Sequence, residues 1–162
     1  MMRVRQDVFP DDTFYVPYTI QEGESPDIIS YNEYDDEQFY WIILQVNNIT
    51  DYYNQWPMSN RELEDYISNK YGNEANSVHH YETVTTYTED NKLILEGGIV
   101  VDSDFRFEYP SKQGSNVTLT SLPTSVSNEE YERNLNEEKK EIEIISPRYV
   151  NCLLYTSDAA DD

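Results

Sequence analysis

Apolar residues along this chain concentrate in one run, Phe39-Tyr40-Trp41-Ile42-Ile43-Leu44-Gln45-Val46, inside a sequence that is otherwise strongly polar. The run is too short to cross a bilayer, which takes about 20 apolar residues, so it reads as a buried element. Asp35 followed three residues later by Gln38 makes a capping-box start, and Asn47-Asn48 makes a stop, which predicts a helix over residues 37–47. A helix that is apolar on nearly every face needs packing on most sides. Tyr40, Trp41, Ile43 and Leu44 are therefore expected in the core.

The flanking pattern supplies the neighbours. Residues 14–20 are strand-like, with Tyr18 and Ile20 on one face, and Gly23 turns the chain. Ser25-Pro26-Asp27 offers an N-cap, a proline at the first helical position and an acid in the first turn. A short helix through Ile28 and Ile29 to about Tyr34 follows, both isoleucines counting toward the core. Residues 51–55 read as a loop, and Trp56-Pro57-Met58 as extended, because proline disfavours helix in the residue before it. Ser59-x-x-Glu62 opens another helix, with Leu63, Tyr66, Ile67 and Tyr71 at helical spacing before Gly72. Leu63 and Ile67 complete the expected core.

Beyond Asn73 the period changes to two. Residues 78–88 predict a polar strand, Glu89-Asp90-Asn91-Lys92 a turn, and residues 93–95 and 99–101 two strands flanking Gly97-Gly98, a bulge or second turn. Phe105-Arg106-Phe107-Glu108-Tyr109 alternates, which places Phe105, Phe107 and Tyr109 on one face. Residues 111–127 are rich in Ser, Thr and Gly without periodicity and read as a linker or long loop. Ser127-x-x-Glu130 opens a charged helix to about residue 138 whose only apolar stripe is Tyr131 and Leu135, and a last short strand covers residues 141–145 before Pro147. The fold class is α+β. Its expected parts are a small β-α-α-β domain with a flanking helix over 14–72, a β-meander over 73–110, the linker over 111–127 and a helix–strand arm over 128–151.

Composition narrows the function. With 162 residues the chain holds one domain, or one small domain and an appendage. A net charge of −21 leaves no basic stripe to displace counterions from nucleic acid and argues against an anionic membrane as partner. Fifteen Tyr, five Phe and two Trp are too many aromatics for a disordered chain. They suit an acidic surface that buries tyrosine-rich patches against protein partners. The first residues are charged, with no apolar segment of a signal peptide. The lone Cys152 excludes an internal disulfide framework. Residues 153–162 resemble translated read-through of a sequencing adapter, so the native sequence is expected to break off near Asn151, with Cys152 foreign too; the alternative is a genuine acidic tail.

Catalytic chemistry finds no foothold. Asp35, Asp36 and Glu37 cluster where a helix N-terminus favours negative charge. His79 and His80 are the only histidines, and on a regular strand adjacent side chains point to opposite faces, so the pair should not share one metal ion. No phosphate-binding loop and no nucleophile, base and orienter can be assembled. The expectation is no enzyme, no metal and no cofactor.

Binding is the remaining option, and here the chain resembles known modules. Tyr18-Thr19-Ile20-x-x-Gly23-Glu24-Ser25, Ile28-Ile29 and Leu44-x-x-Asn47-Asn48-Ile49 resemble the lysin motif (LysM), a β-α-α-β module that binds N-acetylglucosamine polymers. That likeness implies a groove lined by Gly23, Glu24, Ser25, Asn48 and Ile49. In place of the usual second strand stand Asp51-Tyr52-Tyr53-Asn54-Gln55-Trp56-Pro57-Met58. The wider string Tyr18-Thr19-Ile20-x-Glu22-Gly23-Glu24-x-Pro26-Asp27-x-Ile29, Tyr40-Trp41-x-Ile43-Leu44-x-x-Asn47, Asp51 and Trp56-Pro57-Met58 resembles the LysM-like baseplate wedge subunit of contractile-tailed, T-even-like phages. That is the baseplate wedge protein fifty-three family, and the likeness extends weakly through Val78–Glu82, Gly98–Asp102 and Asn136–Ile142.

The resemblance implies a virion structural protein of the tail baseplate, assembled in the host cytoplasm, that joins neighbouring wedges to each other and to the hub. Its partners would be other wedge and hub proteins, with no nucleic acid and no membrane insertion. Interface candidates are Tyr52, Tyr53 and Trp56, together with Phe105, Phe107 and Tyr109. Trp56 stays open to a second reading, as a core residue closing over Trp41. The alternative function is a peptidoglycan-binding LysM module of a tail-associated or cell-wall protein, which would keep a residual peptidoglycan contact. A third reading is an acidic assembly chaperone.

Overall fold

The computed structural model describes residues 14–88, 90–110, 114, 116–119 and 123–150. The expected foreign tail, residues 152–162, lies outside the described residues, as does Glu89 of the expected turn. The architecture is α+β, in two compact units. The first is discontinuous and joins residues 1–63 to 135–162; the second is residues 64–134.

In the first unit, β1 (Tyr15–Thr19) leads through Gly23, at φ +74°, into α1 (Pro26–Tyr34), whose N-cap is Ser25 and whose first turn carries Pro26 and Asp27. Asp35 closes that helix in the left-handed region at φ 58°, donating its N–H to the Tyr31 carbonyl at 3.0 Å. The next cap is therefore Asp36 rather than Asp35: its carboxylate accepts from the Gln38 N–H at 2.9 Å. A 3-10 turn at Glu37–Phe39 runs into α2 (Tyr40–Val46). Residues expected as a loop form a single helical turn, α3 (Tyr52–Gln55), in which the Gln55 side chain accepts from Thr50 N–H and Asp51 N–H, both at 2.8 Å. α4 (Asn60–Tyr71) starts at the expected capping box, with Ser59 N–H and Glu62 Oε2 3.0 Å apart. The Glu22 carboxylate also accepts from Asn60 N–H at 2.6 Å, placing negative charge at that helix N-terminus.

β1 does not pair with anything near Trp56. Its partner is β9 (Glu141–Ile145), antiparallel, with Tyr15 opposite Ile145 and Thr19 opposite Glu141. The helix–strand arm expected at 128–151 is corrected accordingly: its strand closes the first unit. The alternation of β9, with Ile142 and Ile144 buried and Glu141 and Glu143 exposed, turns its apolar face inward. Ile20, Ile29, Ile43, Trp56, Ile142 and Ile144 form one core cluster, with Tyr18, Tyr34, Leu44 and Ile49 packed around it. Ile42, Ile145 and Val150 form a second cluster with Tyr15, Phe39, Val46 and Tyr149.

Two asparagine amides stitch this small core together. Asn47, at the end of α2, donates Nδ2–H to Ile43 O at 2.9 Å and Glu143 O at 2.7 Å, and accepts from Glu143 N–H at 2.9 Å. The side chain thus acts as a surrogate strand on the free edge of β9. Asn136 does the same for Met58, accepting from its N–H at 2.8 Å and donating to its carbonyl at 2.9 Å.

Among the described residues the second unit holds three small antiparallel sheets. β2 (Val78–Thr83) sits between β5 (Val100–Val101) and β8 (Pro123–Ser127). β3 (Thr86–Tyr87) pairs with β4 (Leu93–Leu95), and β6 (Phe107–Pro110) with β7 (Asn116–Leu119). The expected linker at 111–127 is thus corrected, because β7 and β8 lie within it. Each of those strands is four or five residues long, too short for its alternation to stand out among Ser and Thr. Gly97 is required where the chain turns back on Thr85: a Cβ there would lie 2.6 Å from Thr85 Oγ1 and 2.8 Å from its backbone nitrogen. α5 (Asn128–Glu138) begins here, its Asn128 and Glu129 N–H groups satisfied by Ser77 O and Ala75 O.

The core expectation needs three further corrections. Ile20, Ile29, Ile43, Leu63 and Ile67 are buried, but Ile28, Tyr40 and Trp41 are 44%, 46% and 45% exposed. α2 packs on α1 and β9 and turns Ile42 and Ile43 toward them. Tyr40 and Trp41 therefore fall away from the face that α1 and β9 cover.

Ile144→Ala should lower unfolding stability by about 2–5 kcal/mol, whereas Trp41→Ala should cost less than about 1 kcal/mol; urea denaturation followed by far-ultraviolet circular dichroism checks both. Asn47→Asp keeps the shape but loses the donors to Ile43 and Glu143, and should cost about 1–3 kcal/mol in the same assay.

Candidate functional site

The outward side of the first unit is built from α1, α2 and α3. Pro26 and Asp27 of α1, Tyr40 and Leu44 of α2, and Tyr52 of α3 line an apolar groove of about 440 Å³. Tyr52 is 39% exposed and stacks on Trp56, ring centroids 5.8 Å apart, while Tyr53, 85% exposed, meets Tyr52 edge-on at 5.7 Å. Burial raises the Tyr52 phenol pKa, and the charges of Asp27 and Glu62 raise it further. It stays neutral at physiological pH and available as a donor.

Of the two readings of Trp56, interface anchor or core residue, the structure places it in the core. It is 4% exposed, and its indole N–H donates to the Glu24 carbonyl at 2.9 Å, which satisfies the one polar group of a buried ring. The five residues expected to form a sugar groove do not line the groove observed. The Glu24 carboxylate is engaged by Tyr18 Oη–H at 3.0 Å and Gln21 N–H at 2.8 Å. Burial, then that hydrogen bond and charge, push the Tyr18 phenol up to about 12. Gly23 and Asn48 take left-handed turns, Ser25 caps α1 through its carbonyl to Ile29 N–H, and Ile49 packs against the core. Gly23, Glu24, Ser25 and Asn48 thus belong to turns and caps of the first unit, and Ile49 to its packing. Pro26, Asp27, Tyr40 and Leu44 are the groove residues that sequence reasoning missed; the exposure of Tyr40 at the start of α2 is what reveals them.

In the second unit, Phe107 and Tyr109 stand opposite Leu119 and Val117 on one half-buried face of the β6–β7 hairpin, with Glu108, Pro110, Asn116 and Thr118 exposed on the other. Phe105 precedes β6 and is also half-buried. The alternation is thus realised for Phe107 and Tyr109, within β6.

The histidine pair overturns a geometric expectation. The register shifts between Val78 and His80, so that His79 is an extra residue opposite β8. The bulge cancels the alternation and brings the two Nδ1 atoms to 2.8 Å; His79 stacks on Tyr131 at 3.9 Å, and His80 Nε2 lies 2.7 Å from Glu82. Among the described residues no three His, Cys, Asp or Glu side chains gather as metal ligands.

The charged helix α5 buries two polar residues, Glu132 and Asn136, rather than an apolar stripe. Glu132, 7% exposed, accepts from Lys70 Nζ at 2.7 Å and Tyr71 Oη at 2.8 Å. Burial pushes its carboxyl up, but the hydrogen bonds from Lys70 and Tyr71 and the Lys70 charge outweigh it and hold it below the ordinary 4.5. The same Glu132 bond, with Tyr66, raises Lys70 above its usual range.

These features define a class: a small α+β protein that shows aromatic side chains to solvent inside a field of carboxylates. A family model described as base plate wedge protein 53 matches residues 8–158, nearly the whole chain, and the protein belongs to that family. It is therefore a structural protein of the phage baseplate, part of the virion tail and in contact with other baseplate proteins. No curated protein matches the sequence. Among the described residues no helix is long and apolar enough to cross a membrane.

A depressed carboxyl contributes stability above its unfolded pKa and loses it as pH falls through the folded value. The stability difference between the native protein and Glu132→Gln should therefore be largest above about pH 5 and shrink steadily toward pH 3, read by urea denaturation across that range.

Proposed function

We propose that this protein joins neighbouring baseplate wedges to one another and to the tail hub during assembly in the host cytoplasm. The observation that carries this reading is the family match over residues 8–158. Surface chemistry supports it: an acidic chain stays soluble and apart from its copies until aromatic patches are covered by a partner. On this reading Tyr52 and Tyr53 are anchors on the first unit, and Phe105, Phe107 and Tyr109 on the second. The β1-α1-α2-β9 arrangement supports a LysM-like module whose closing strand is supplied by a distant part of the chain. The tied-up Glu24 carboxylate fits a module that turns its polar loop groups inward rather than to a glycan.

Phage carrying a stop codon in this gene should accumulate individual wedges and hubs without closed baseplates, as seen by negative-stain electron microscopy of infected-cell lysates. Mass spectrometry of purified wild-type tails should find the chain cross-linked to wedge and hub proteins. Closed baseplates in its absence, or tails lacking the chain, would refute the proposal.

A further inference from the structure

The groove on the first unit has an unusual electrostatic setting. Between residues 14 and 60 the chain carries eight carboxylates and not one lysine or arginine. Asp27 stands on the lip of the groove, and its charge and that of Glu62 both act on the Tyr52 phenol. Lys139, which reaches α3, is held by the Asn54 carbonyl at 2.9 Å. The floor and walls are Pro26, Tyr40, Leu44 and Tyr52, a surface whose burial would release water from two aromatic rings.

Those two properties together select the occupant. An anionic lipid surface would meet the like charges of Asp27 and Glu62 at the groove. A second copy of this chain would bring the same acidic face, and its net charge of −21 opposes that approach. A cationic side chain on an apolar stem satisfies both features, because its aliphatic part covers the rings while its charge meets a carboxylate or a ring face. We infer that the groove docks a lysine- or arginine-bearing extended segment of another protein, with an apolar side chain seated between Tyr40 and Tyr52 and a flanking cation on Asp27. The inference rests on the baseplate reading only for the source of that segment. The groove's preference for it is a property of this chain alone.

The test uses the full chain and three probes: a peptide alternating lysine and leucine, its glutamate–leucine counterpart, and the N-acetylglucosamine hexamer. In an NMR titration the lysine–leucine peptide should shift the Leu44 methyl and the Tyr40 and Tyr52 ring signals. Asp27→Asn and Tyr40→Ala should each weaken that binding by about fivefold or more, while Tyr87→Ala, on an exposed strand of the second unit, leaves it unchanged. Equal binding of the glutamate peptide, displacement by the hexamer, shifts confined to other residues, or insensitivity to both groove variants would overturn the inference. So would a dimer in sedimentation whose formation protects the same signals. In infected cells a photo-crosslinker at Tyr52 should capture a baseplate-protein peptide containing lysine or arginine. Capture of an acidic segment would overturn the groove's specificity, whereas the stop-codon experiment reads the baseplate role independently.

Discussion

The pairing of β1 with β9 is the constraint on which the first unit depends. A two-stranded ribbon is marginal by itself, and among the described residues β9 is the one sheet partner of β1. Its backbone is satisfied, and its apolar face closed, only when residues more than a hundred positions away return to it; Thr19 and Glu141 are 122 apart in sequence. Loop-closure cost grows only slowly with the length enclosed. A whole second unit can therefore stand between the two strands at modest expense, and this is how the first unit comes to be discontinuous.

A core of that size leaves edges, and polar side chains close them. Asn47 pairs with both backbone groups of Glu143, and Asn136 with both of Met58, so two otherwise orphaned strand-like edges find partners. Tyr34 adds a third link, donating its hydroxyl to Ile145 O at 3.0 Å. Burial and the nearby Glu33 charge push that phenol up to about 12 against the opposing effect of the bond, so it remains a donor at neutral pH. The second unit uses the same device with charge, burying Glu132 against Lys70 and Tyr71.

One-sided packing links this architecture to function. Because α2 turns Ile42 and Ile43 toward α1 and β9, a helix with an apolar run still leaves Tyr40 and Trp41 half in water. In a solitary enzyme domain such exposure would be a liability. In a baseplate protein, whose family works in contact with other baseplate proteins, such exposure is compatible with the assembled state.

Local elements were legible in the residues themselves. Pro26 after Ser25, the Ser59–Glu62 box, the turns at Gly23 and Gly72 and the alternation of β6 each rest on contacts or dihedral preferences within a few residues, and the motif around Tyr18, Tyr40-Trp41 and Trp56-Pro57 already pointed to the family. Tertiary structure alone decided which strand β1 takes, because that choice is made by hydrogen bonds across 122 residues that no local period records. It also decided that Trp56 is core and Tyr40 and Trp41 are surface, since hydrophobicity states that a side chain favours burial but not on which side a layer exists to bury it. The bulge at His79 belongs to the same class: one residue of slip against β8 reversed an alternation that the sequence could only assume.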